Sequence, residues 1–254
     1  MLSKGYSHPA IFNDDAITEG LLSYGFRECD ARNYVHSSCV EITSCAQSGS
    51  WVFRPLINMP AVLLEIMKEG KESKSIKAFI KKYEQNLLRH LNLGMHEQNT
   101  LQIERSRNGG HNMLSSCLVN NCLKSGKSVD EGGARYNFIM PTFIGAANLI
   151  DSIIAIKILV YGKKELSMEE FYKICLDDFK GKEDLRVRIV NKFPHFGNNE
   201  NEADSLMQEI SQMIVRSCKG LTNYYGAKAM PGMYSYLQHV RNGKITPATP
   251  DGRK

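Results

Sequence analysis

The 254-residue chain has no Cys-x-x-Cys pair and no two histidines four residues apart. These absences argue against a structural zinc site and against the helical His-x-x-x-His of a metallohydrolase. The seven cysteines are odd in number and irregularly spaced, so they read as reduced thiols rather than a disulfide framework. Cys117 and Cys122, five apart on an expected helix, share no face. No tract of one charge sign occurs. The net charge is only +5 and the basic residues are spread along the chain, which gives a nucleic-acid or membrane-surface partner little support. The longest apolar stretch, 146–161, contains Asp151 and Lys157 and falls short of the ~20 residues that span a bilayer. Residues 1–9 lack the apolar core of a signal peptide, so a cytoplasmic location is the default. Neither an internal repeat nor a long linker is visible, and the expectation is a single domain over residues 1–254.

A hydrophobic content of 42% and a charged content of 23% are ordinary for a globular protein, and the length allows a sizeable core. The pattern is mainly helical. Asn13-Asp14-Asp15 caps a helix to Ser23 or Tyr24, stopped by Gly25, and a second short helix is expected over Glu28–Val35. Pro60 sits in the first turn of a helix through Lys68. Apolar residues at 76, 79, 80, 83, 87, 88 and 91 mark a long amphipathic helix from Ser73 to about Ile103, with a break expected near Gly94. Further helices are expected over 113–123, 145–161, 167–179, 183–192 and 201–218, with a strand over 134–140. The last 35 residues read as irregular, ending in an exposed turn, Ala248–Lys254.

Several local patterns have plain explanations. Gly126-Lys127-Ser128 has the ending of a phosphate-binding loop, but position 121 is Asn where that motif needs glycine, and no hydrophobic strand precedes it. Asn199–Asp204 carries alternate acidic oxygens without the glycine and terminal glutamate of a calcium loop, and reads as an acidic helix start. Cys39 and His36 do not match a thiol-protease signature.

Cys39 and Glu41 stand apart from these. They lie in a segment, 37–54, that has no helical period and is rich in Ser, Thr, Gln and Gly. Residues i and i+2 of an extended segment project to one side, so a thiol and a carboxyl group can face one substrate together. In such a pair sulfur can handle a hydrogen and the carboxylate a proton. The competing reading is a cysteine that is simply packed in the core.

Ordered segments along the whole chain resemble the glycyl radical enzymes, the pyruvate formate-lyase superfamily. They are His8–Asp15; Gly25; Asp30-Ala31-Arg32-Asn33-Tyr34; Ser38-Cys39-Val40-Glu41; Asp130–Asn137; Lys192–Asn199 with Ala203-Asp204; and Ala248–Arg253. The resemblance implies that Cys39 matches the cysteine whose thiyl radical takes a hydrogen atom from substrate. It also implies that Glu41 is the acid/base of the C-V-E branch, the diol dehydratases and related lyases. Pyruvate formate-lyase itself has two adjacent cysteines where this chain has Ser38-Cys39. Ser37-Ser38-Cys39 departs from the commoner Gly-Cys pattern. Hydrogen-atom transfer needs a neutral S–H, which a buried, water-poor setting favours, and elimination needs a positioned proton acceptor.

The implied fold is α/β: half of a ten-stranded barrel built from two five-stranded parallel halves, rich in helices, with the cysteine loop inside. No R-V-S-G-Y loop occurs, and the chain corresponds to roughly the second half of the family core. The resemblance therefore implies no bound metal or organic cofactor in this segment. The glycyl radical is expected on a missing segment or a partner chain, installed by a separate radical activating enzyme. Implied partners are a small-molecule substrate, the activating enzyme, a complementary chain and, in the full-length form, further copies; nucleic acid and membrane are not among them. Half a barrel leaves strand edges and an apolar interior uncovered, which predicts poor solubility or pairing. Three readings stay open: an inactive fragment of a radical dehydratase or lyase, a split enzyme completed by other chains, and a non-catalytic remnant that binds a partner.

Overall fold

The structure, a computed structural model, describes residues 12–36, 41–52, 54–70, 73–235 and 237–253. It opens with helices α1 (Asp14–Ser23) and α2 (Glu28–Arg32), followed by strands β1 (Tyr34–His36), β2 (Ile42–Ser44), β3 (Ser48–Trp51) and β4 (Leu56–Asn58). Helices α3 (Met59–Lys68), α4 (Ile76–Arg107), α5 (Met113–Leu118) and α6 (Cys122–Ser125) come next. Strands β5 (Tyr136–Ile139) and β6 (Thr142–Ile144) precede α7 (Ala146–Ile156), α8 (Met168–Leu176), α9 (Glu183–Lys192) and α10 (Asn201–Cys218). The short β7 (Lys228–Ala229) and α11 (Gln238–Ile245) complete the order. Among the described residues, no helix is long and apolar enough to cross a membrane. The result is the helix-rich α/β character expected from the sequence.

The chain divides into two compact units. One comprises the described residues of Met1–Val52, Gln102–Phe138 and Tyr224–Ala227; the other comprises those of Phe53–Leu101, Ile139–Asn223 and Lys228–Lys254.

The second unit is built on parallel pairing. β4 and β6 run parallel, with Leu56 opposite Thr142 and Asn58 opposite Ile144. A further parallel bridge joins Thr142 to Gly232. Helix α3 begins directly at the end of β4, because the Asn58 side chain accepts from the Ala61 amide at 3.2 Å and Pro60 presets the first turn. α3 packs against α7 and α8, and α7 against α10. Every residue of α7 from Leu149 to Ile156 is buried, as befits a helix that is apolar nearly all round. Each of its isoleucines and leucines contributes roughly 1.5–3 kcal/mol by leaving water. On α4, Phe79, Tyr83, Leu87 and Leu91 form the buried stripe that the sequence periodicity indicates. The Tyr83 hydroxyl donates to the Met59 carbonyl at 3.3 Å, and complete burial drives its pKa well above the usual value.

The first unit is a smaller α/β assembly. α1 is capped as expected, with Asn13 accepting from the Ala16 amide at 3.0 Å. β1 and β2 form an antiparallel hairpin with Tyr34 opposite Ser44 and His36 opposite Ile42. β3 pairs with β5.

Several boundaries differ from the sequence reading. α2 ends at Arg32, not Val35, because Tyr34 and Val35, an aromatic and a β-branched residue, pair with β2 instead. Strands β2 and β3 lie within the segment read as loop. The helix expected over 113–123 is two helices, broken at Asn121, which takes φ +78° while its side-chain amide donates to the Gly133 carbonyl at 2.9 Å. α7 gives way to a π-helical stretch over Lys157–Gly162. Ala248, Thr249 and Asp251 are buried rather than exposed.

α4 runs through Gly94 without a break. A Cβ built on Gly94 would sit 2.5 Å from the Pro55 Cβ, so this glycine permits close packing rather than a kink. Gly20 in α1 has nothing within 4 Å of the same position. The two should therefore respond oppositely to alanine. Gly20→Ala gains helix propensity, up to ~1 kcal/mol. Gly94→Ala gains as much but incurs an overlap of about 1–3 kcal/mol, for a net loss. Urea unfolding of the two variants checks the opposite signs.

Candidate active site

The expected cysteine and glutamate belong to the connection between β1 and β2. Residues 37–40, Cys39 among them, lie outside the described residues. Glu41 is described: it directly precedes β2 and is 4% exposed. The strands flanking this connection are held by local chemistry. The Tyr34 hydroxyl hydrogen-bonds the Asp14 carboxylate, and this bond lifts the phenol pKa. The His36 ring lies 4.0 Å from that of Phe12. Asp14, Arg32, Tyr34 and His36 line an open recess of about 590 Å³.

Asp30 braces the hairpin from beneath. Its backbone carbonyl accepts from Ser44 Oγ on β2 at 2.9 Å. Its carboxylate accepts from Arg27 Nε at 2.8 Å and from the Tyr136 hydroxyl at 2.6 Å, with Arg135 Nη1 at 3.6 Å. The Arg27 hydrogen bond, followed by that of Tyr136, holds the carboxyl pKa near 2, against an ordinary 3.8. The Phe26 ring stacks on Tyr136 at 4.0 Å. Asn137, next along β5, donates its amide to the carbonyls of Gly132 and Ala134, at 3.0 and 2.7 Å, and so pins the turn before the strand. Two motif-like segments more than a hundred residues apart thus meet at one carboxylate. The sequence singled out both segments but not their contact.

A second polar centre lies in the second unit. Asp151, whose side chain is 1% exposed, accepts from the Phe196 amide at 2.8 Å and from Arg253 Nη1 at 3.1 Å. His195 Nδ1 lies 2.9 Å from the same carboxylate, while His195 Nε2 lies 3.1 and 3.0 Å from the carbonyls of Ile189 and Val190. Asp251 is fully buried and accepts from Asn148 Nδ2 at 2.9 Å and from Thr249 Oγ1. Burial raises its pKa, against the pull of Thr249, Asn148 and Arg253. The segments 192–199 and 248–253 stand out in the sequence as family-like, whereas Asp151 belongs to no such motif. The available signal was a carboxylate inside the longest apolar stretch, which must find partners when buried.

The remaining features are structural. Ser128, in the phosphate-loop-like triplet, forms a capping box with Glu131. Glu202 and Asp204 occupy the first turn of α10. Burial raises the thiol pKa of Cys175, and that of Cys218 to about 12, which suppresses thiolate reactivity. Among the described residues, no group of three or more His, Cys, Asp and Glu side chains could hold a metal ion.

Two outcomes follow from the carboxylate centres. Because the folded state lowers the Asp30 pKa, its stabilising contribution is present in full above pH 4 and is lost as pH falls toward 2. The urea midpoints of wild type and Asp30→Asn should stay apart from pH 4 to 7 and converge toward pH 2. Asp151→Ala leaves His195 and Arg253 without their shared anion and should cost about 3 kcal/mol in urea unfolding at pH 7.

Comparison with known proteins places the chain in a family. Residues 1–243 match the model of the PFL-like family, pyruvate formate lyase-like. The chain is 28% identical to the probable dehydratase YbiW of Escherichia coli, over 98% of this chain and 34% of that protein. It is 30% identical to trans-4-hydroxy-L-proline dehydratase of Clostridioides difficile, over 98% of this chain and 34% of that protein. The crystal structure of hydroxyproline dehydratase from Clostridioides difficile superposes with a TM-score of 0.90 at 26% identity, covering 97% of this chain and 33% of that one. The chain therefore spans about a third of the length of the relatives it matches, and its fold is part of their barrel. By this match over nearly its whole length, the chain belongs to the pyruvate formate lyase-like family of glycyl radical enzymes.

Proposed function

We propose that the chain is part of a radical dehydratase or lyase in which Cys39 exchanges a hydrogen atom with substrate and Glu41 moves the proton. The observation that carries this reading is the burial of Glu41, two residues after Cys39, on a hairpin braced through Asp30 and Tyr136. A glycyl radical supplies the oxidising equivalent in this family. The chain's own part is twofold. The Cys39 sulfur takes a hydrogen atom from a substrate C–H bond, forming S–H and leaving the unpaired electron on carbon. Glu41, withdrawn from water, transfers the proton that lets a neighbouring group leave with its electron pair. The S–H then returns its hydrogen atom to the product radical.

The relatives include a hydroxyproline dehydratase, a sulfopropanediol dehydratase and isethionate sulfite-lyases. They support a small polar substrate with a leaving group on the carbon next to the C–H bond. The activating enzyme, a complementary chain and further copies of the full-length protein are the partners this reading requires. Activity belongs to the completed barrel, and the 254-residue chain alone should yield no product.

The test uses the full protein containing this segment, activated anaerobically. Cys39→Ser should retain the glycyl-radical EPR signal and form no product. Glu41→Gln should retain the signal and lower turnover by ~10²–10⁴, the usual scale of a general acid/base. Undiminished turnover in Cys39→Ser, or product from the isolated chain, sinks the proposal; an activated wild type that turns over no substrate would favour the non-catalytic, partner-binding reading.

A further inference from the structure

The second unit holds a cavity of about 180 Å³ that the chemistry above does not use. It lies at the C-terminal ends of the parallel pair. Asn58 closes β4, Ile144 closes β6, and both line it, together with Asn148 of α7, His239 and Asn242 of α11, and Arg253. Carboxyl ends of parallel strands are where open α/β sheets bind ligands, because the loops and helix starts there leave a crevice with polar groups facing in.

The lining has a definite charge character. Among the described residues it contains no Asp or Glu, and Arg253 is its one fixed cation. The walls are tied down: Asn58 Nδ2 donates to Thr246 Oγ1 at 3.0 Å, and Asn148 Nδ2 donates to Asp251 at 2.9 Å. Arg253 is anchored through Nη1, 3.1 Å from Asp151 Oδ2 and 3.7 Å from Asp251 Oδ2, while its side chain remains 46% exposed. Asn242 differs from the other two asparagines. Its Nδ2 is buried and has no hydrogen-bond partner among the described residues. A buried amide donor left unsatisfied is costly and calls for an acceptor.

We propose that this cavity binds a small oxyanion, a carboxylate or a phosphate, with Asn242 Nδ2 and Arg253 as its donors. An anion satisfies the buried amide and meets the cation, and among the described residues no carboxylate lines the walls. The volume of about 180 Å³ is room enough for an oxyanion with a short carbon chain. The proposal is independent of Cys39 and Glu41.

The test titrates the full chain with inorganic phosphate in one arm and glycolate in another, with glycerol as the neutral control. Binding is read by calorimetry and by the side-chain amide resonance of Asn242. At least one anion should bind saturably and shift that resonance, and the arm that responds names the source. Asn242→Asp, which replaces the donor with a like charge, should weaken binding by ~10-fold or more. Asn242→Ala, which removes the donor without adding charge, should weaken it less, and circular dichroism confirms that each variant is folded. The proposal is overturned if neither anion moves the Asn242 resonance at high millimolar concentration. It is equally overturned if glycerol binds as well as the anions, or if both folded variants bind like wild type.

Discussion

A single buried carboxylate organises the second unit. Asp151 sits on a helix that is otherwise apolar, and an unpaired charge there would be far more costly than any one packing defect. Three partners converge on it: the Phe196 amide, His195 and Arg253. They come from the turn after α9 and from the last described residues of the chain. Satisfying one anion thus fixes the course of two segments with little regular structure of their own. Asp251, buried beside Arg253 and held by Asn148 and Thr249, extends the same network. The ending Ala248–Arg253 is consequently part of the core, and Arg253 also becomes a wall of the cavity beside α11.

In the first unit a comparable task falls to Asp30, through a different balance. Its partners outweigh the cost of desolvation, so its pKa falls, whereas burial dominates at Asp251 and its pKa rises. The contrast has a physical origin. Asp30 meets the guanidinium of Arg27 at 2.8 Å and a phenol at 2.6 Å, while Asp251 meets neutral donors at close range and its cation at 3.7 Å. The consequence for function is positional. Asp30 ties α2, β2 and β5 together, and β2 begins one residue after Glu41. The proton-transfer role proposed for Glu41 therefore rests on a frame whose strongest bonds lie outside the proposed reacting pair.

How much of this was legible beforehand depended on the range of the interaction. The caps of α1 and α3, the acidic start of α10 and the buried stripe of α4 were all visible, because they follow from side chains within a turn or two of one another. The local pattern at Gly94 suggests a break, because the glycine's role is set by Pro55, which is distant in sequence. Val35 reads locally as the end of a helix, because only pairing with Thr43 makes it a strand. Cys39 and Glu41 stand out in the sequence as a spaced pair and as a family-like motif, with Cys39 outside the described residues. Asp30 and Tyr136 were visible only as members of separate motifs, 106 positions apart.

Periodicity, capping and short motifs are local, so most helices, the family resemblance and the two residues expected to carry the chemistry are readable from the chain alone, whereas α11 and the split between α5 and α6 are not. Folding in three dimensions sets β4 parallel to β6, gathers His195 and Arg253 at Asp151, and puts Asn242 on a cavity that no acidic side chain lines among the described residues. Strand register, buried ion networks and cavities depend on which distant segments share a low-dielectric interior, and residues tens to a hundred positions apart give no local sign of meeting there.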